Sequence, residues 1–67
     1  MTIHEIRNRI ARQALSAGEH LNKAQDDKTR AFYSGTAHGL ELALARTWKG
    51  GTRGMAERYI DELARRS

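Results

Sequence analysis

The stretch WKGGTRG, residues 48–54, gathers a lysine, a threonine, an arginine and three glycines within seven positions. Such residues can hold an anion: glycines let backbone N–H groups converge on an oxygen, and the cations neutralise its charge. A nucleotide-binding P-loop, however, places its glycines ahead of a Lys-Ser/Thr pair that opens a helix after a strand. Here Lys49 precedes Gly50 and Gly51, so the order is wrong. A looser anion or nucleic-acid contact survives, from Lys49, Thr52 and Arg53, extended downstream by Arg58, Arg65 and Arg66. The structural reading is the stronger one. Gly50 or Gly51 would end one helix in the left-handed region and Thr52 would cap the next.

The remaining reactive side chains form no site. His4, His20 and His38 are not spaced at i, i+4, and His38 with Glu41 is a single i, i+3 pair. Carboxylate-bridged metal sites on helices use Glu-x-x-His motifs in pairs. There is no cysteine, so thiolate ligation and disulfides are excluded, and neither a metal nor a cofactor is expected. No Ser, His and acid combination stands out. A chain of 67 residues rarely forms the pocket that catalysis or a small-molecule substrate requires, so an enzyme is not expected.

Charge points weakly toward acidic partners. The net charge is +4 and the pI about 10.1, with the excess at the two ends and a neutral middle. Arg7, Arg12 and Lys23 give the first third a basic face, matched at the other end by Lys49, Arg53, Arg58, Arg65 and Arg66. A helix-turn-helix alignment fits Ala14 and Gly18, but Gln13, Glu19 and Asp27 fall where apolar residues belong. Nucleic-acid binding would therefore rest on phosphate contacts alone, and is the second reading.

These residues must be carried by helices: there is no proline, and Ala, Leu, Glu, Arg and Gln abound. Residues 2–24 carry a 4-3 seam through Ile3, Ile10, Ala14, Ala17, Leu21 and Ala24, broken only at Arg7, beside Ile6. Thr2 and Glu5 have capping-box spacing, and Gly18 is a place for a kink. QDDKTR, residues 25–30, has no apolar residue and offers two capping aspartates, so a second helix is expected over 27–48. The competing arrangement is one long helix in an intermolecular coiled coil, since the seam stays in phase through Ala45. A third, shorter helix over 53–66 buries Met55, Tyr59, Ile60 and Leu63. The expected fold is all-α: one domain, an antiparallel helical hairpin plus a shorter third helix, completed by dimerisation.

The second helix carries the expected interface. Ala31, Gly35, Gly39 and Ala43 clear a groove, and Gly35 and Gly39 are expected to give close helix packing against Ala14, Ala17 and Ala24. Phe32, Tyr33, Leu40, Leu42 and Leu44 spread over more of the circumference than one partner helix covers. Phe32, Tyr33, Leu40, Leu44 and Trp48 are accordingly the candidate protein-interface residues, for a homo-oligomer (a dimer first) or for another protein.

The phrase AFYSGTAHGLELALARTW resembles the central helix of small accessory proteins of actinobacterial tailed phages, through Tyr33, Gly35, Ala37, Gly39 and Leu40. It covers about a quarter of the chain. The resemblance implies a protein made during infection that binds a host or phage component, and it names no active residues. The opening MTIHEIRNRI lacks the apolar core of a signal peptide, and no run approaches the roughly 20 apolar residues of a membrane span. A soluble protein without membrane partners, in the host cytoplasm, is the expected setting.

Overall fold

Thr2 opens the first helix: its Oγ1 accepts from the Glu5 backbone N–H at 3.2 Å and donates to the Glu5 carboxylate at 3.3 Å. The computed structural model describes residues 1–66. Helix α1 spans Ile3–Lys23 and runs through Gly18 without interruption. It ends at Ala24, which turns extended with φ −67° and ψ 134°.

Asp26 then caps α2, Asp27–Ala45. Its Oδ2 accepts from the Thr29 hydroxyl and the Thr29 backbone N–H, both at 3.0 Å. These two bonds, the hydroxyl's first, hold the Asp26 carboxyl below its ordinary value of 3.8 by stabilising the ionised form. With Ala24 and Asp26 both extended, the chain reverses here and the single long helix is ruled out. The helices are antiparallel. Arg7 near the start of α1 meets Thr47 just past the end of α2, and His20 near the end of α1 stacks on Tyr33.

Helix α2 stops three residues short of the expected Trp48. The Thr47 hydroxyl bonds the Leu44 carbonyl at 2.7 Å, and Arg7 takes the Thr47 carbonyl at 2.8 Å, so the last turn finds partners outside a helix. A β-turn follows, closed by Gly51 N–H donating to the Trp48 carbonyl at 3.0 Å. Gly50 stands at its third position with φ +69°, which a type II turn assigns to glycine. Gly51 is needed for a different reason. A Cβ there would collide with the Ala45 carbonyl oxygen.

Thr52 then caps α3, Arg53–Arg66, its Oγ1 accepting from the Met55 N–H at 3.3 Å. Helix α3 lies across the open end of the hairpin, away from the α1–α2 turn. Ala11, Leu44, Ala45 and Ala56 form the core there, with Ile10, Trp48, Tyr59, Ile60 and Leu63 around them. Towards the α1–α2 turn only Ala14 and Ala17 are buried. Alanine buries little area. Full burial of a large aliphatic side chain contributes about 1.5–3 kcal/mol, and among the described residues Leu44 alone reaches it.

Candidate interaction surface

The five apolar residues expected to form an interface divide between the two sides of α2. Leu44 is 0 % exposed and belongs to the core, so it cannot meet a partner. Trp48 is also turned inward: its ring lies 5.6 Å from Tyr59 in an edge-on contact, and the Arg7 guanidinium sits 4.6 Å from its centroid. Four residues on from buried Leu44 and three from buried Ala45, Trp48 stays on the inward side of the chain although α2 ends at Ala45. It seals the joint between hairpin and α3. Tyr33 and Leu40 are half-buried; with Ala17 and His20 they line an open groove of about 350 Å³ between α1 and α2.

Phe32 remains outside. It is 65 % exposed, and its ring stands edge-on to Tyr33 at 5.1 Å, which in turn stacks on His20 at 5.0 Å. His20 is itself tied to the Ser16 carbonyl through Nδ1 at 2.7 Å. Phe32 is thus braced by a short aromatic ladder rooted in α1.

The small residues also face the other way from expectation. Ala31, Gly35, Gly39 and Ala43 are all exposed, and a Cβ built on either glycine meets nothing within 4 Å. The close packing expected of Gly35 and Gly39 against α1 does not occur in this chain. Ala37, Leu40 and Leu44 take that place, one helical face removed. Leu42, 40 % exposed, joins Phe32 and the small residues on the outer face. Positional arithmetic could have found this, because 32, 35, 39 and 42 lie within about 80° of one another on a 3.6-residue helix.

That outer face is uncharged between Arg30 and Arg46 except at its edge, where Glu41 is half-buried. Glu41 is occupied: Arg53 Nε lies 2.9 Å from its Oε2. An exposed helix face this long is ordinarily studded with charge, as α1 and α3 are.

The basic residues converge on no common point. Arg53 bridges Glu41 and, at 3.4 Å, Glu57; Arg66 lies 3.9 Å from Glu62; Arg58 and Arg65 are interleaved with Asp61 and Glu62. Thr52 is committed to its cap, and Lys49 stands exposed on the turn. Arg7, counted with the basic face, is removed from it by its bonds to Thr47 and its position over Trp48. Among the described residues no three His, Cys, Asp or Glu side chains gather as a metal site would require, and no helix is long and apolar enough to cross a membrane. Comparison with protein-family models, with curated proteins and with solved structures finds no match for this chain.

Proposed function

We propose that this chain is a small, non-enzymatic helical module that binds protein through the outer face of α2. The observation that carries the reading is the pairing of Phe32, 65 % exposed yet braced by Tyr33, with a long uncharged helix face. Aromatic anchors held in place on a smooth apolar surface are the usual source of binding energy between proteins. The thin core adds a thermodynamic motive. A 67-residue chain in which Leu44 alone of the described large side chains is fully buried gains stability from anything that covers more apolar surface. A protein made during phage infection, as the resemblance of the α2 sequence implies, would meet such a partner in the host cytoplasm.

Affinity capture from a bacterial lysate tests the reading when run with matched variants. Phe32→Arg is expected to abolish capture, while Arg65→Glu, on the far side of α3, leaves it intact. Capture indifferent to Phe32→Arg, or salt-sensitive nucleic-acid binding lost with Arg65→Glu, would replace this reading with the nucleic-acid one.

A further inference from the structure

We propose that the occupant of the outer α2 face is a second copy of this chain, its α2 antiparallel to the first about a two-fold axis level with Ala37. This rests on the reading of that face as an interaction surface and names its partner. The outer face reads alike in both directions from Ala37. Gly35 mirrors Gly39, Phe32 mirrors Leu42, and Ala31 mirrors Ala43, every one of them exposed. A two-fold interface has this requirement: one patch must complement itself, with residue i meeting j and j meeting i.

The mirror pairs match in size where contact demands it. Gly35 comes level with Gly39 of the second copy, and the open space over both lets the two backbones approach. Phe32 comes level with Leu42 and Ala43 of the second copy, so each end of the contact closes on an aromatic anchor. The helix dipoles select the direction: antiparallel pairing opposes them and parallel pairing aligns them. Charge favours neither arrangement, because Arg46 meets Lys28 of the second copy in the one and Arg46 in the other. Lys28 lies level with Arg46 and weakens the contact.

Area sets the strength. At 1.5 Å per residue the 19 residues of α2 extend about 28 Å. One helix face of that length covers less than the roughly 1,600 Å² of a standard stable interface. The dimer is therefore expected to exchange with monomer, as contacts below the standard size commonly do.

The test uses the absence of cysteine in the chain. Ala31→Cys and Ala43→Cys variants are mixed and treated with a short bismaleimide, and sedimentation velocity is run in parallel on the unlabelled protein. Cross-links joining position 31 to position 43, a mass that rises with concentration, and dimer weakened about tenfold or more by Phe32→Arg are expected. Lys28→Glu should tighten the dimer about fivefold by replacing a like-charge pair with an opposite one. Gly39→Leu supplies a variant that keeps the fold, since the space there is open, yet blocks approach. Equal 31–31 and 43–43 cross-links would overturn the antiparallel arrangement. A dimer indifferent to Phe32→Arg and Gly39→Leu would overturn both this inference and the choice of face. A strict monomer whose lysate capture still depends on Phe32 would overturn the second copy alone and leave the interaction reading standing.

Discussion

Arg7 Nη2 donates to the Thr47 carbonyl at 2.8 Å while its Nε donates to the Thr47 hydroxyl at 2.9 Å. One side chain of α1 thereby closes the end of α2, and its guanidinium also covers Trp48. The single polar interruption in the α1 seam is a clamp that joins all three helices, because Trp48 continues the contact to Tyr59 on α3.

Arg7→Ala should therefore destabilise the fold by about 2 kcal/mol, from two charge-assisted hydrogen bonds and a cation–π contact. Arg7→Lys should recover only a minor part, since an ammonium cannot donate along two fixed directions while lying flat on a ring. Arg9→Ala, exposed on the same helix, should change stability by less than about 0.5 kcal/mol. Urea unfolding followed by circular dichroism measures all three.

The glycines should respond in opposite directions. Gly51→Ala drives a methyl group into the Ala45 carbonyl, so the turn between α2 and α3 must shift and the melting temperature should fall by several degrees or more. Gly39→Ala meets open space in mid-helix and should stabilise the monomer by up to about 1 kcal/mol. Thermal melts on dilute protein separate the two effects.

Leu44→Ala empties the one large position fully buried among the described residues and should cost about 2–5 kcal/mol, enough to unfold much of so small a domain. Phe32→Ala should leave the fold within about 0.5 kcal/mol of wild type. Denaturant melts of the two variants distinguish the core residue from the surface one, although both lie on α2 and both are large and apolar.

The Asp26 cap gives a pH dependence of definite sign. Its carboxyl is lower in the folded chain than its ordinary value of 3.8. The stabilisation is fully present above that value and is lost as pH falls through the folded pKa. Asp26→Asn keeps a capping side chain without the titration. The drop in melting temperature between neutral pH and pH about 2–3 should be smaller in this variant than in wild type.

Much of the architecture was legible because it depends on local chemistry. Thr2, Asp26 and Thr52 cap the three helices, and the apolar gap at residues 25–30 became the chain reversal. The rotation of α2 was harder to read. Small residues mark close packing only when a helix turns them inward, and α2 is apolar on two faces. Its larger residues Tyr33, Leu40 and Leu44 went to α1, leaving Gly35 and Gly39 outside. Trp48 was misplaced for the same reason: at i+4 from Leu44 it shares that residue's side, which faces the core. The end of α2 at Ala45 is set by a tertiary contact from Arg7 that no local pattern announces.

The outer face of α2 as a surface of self-association is tested most directly by recording amide NMR spectra of the 7.6 kDa chain from dilute to concentrated solution. Concentration-dependent shifts should concentrate on Ala31, Phe32, Gly35, Gly39, Leu42 and Ala43, and vanish in Phe32→Arg. Spectra that do not change with concentration, or shifts gathered instead around Lys49, Arg58 and Arg65, would contradict it.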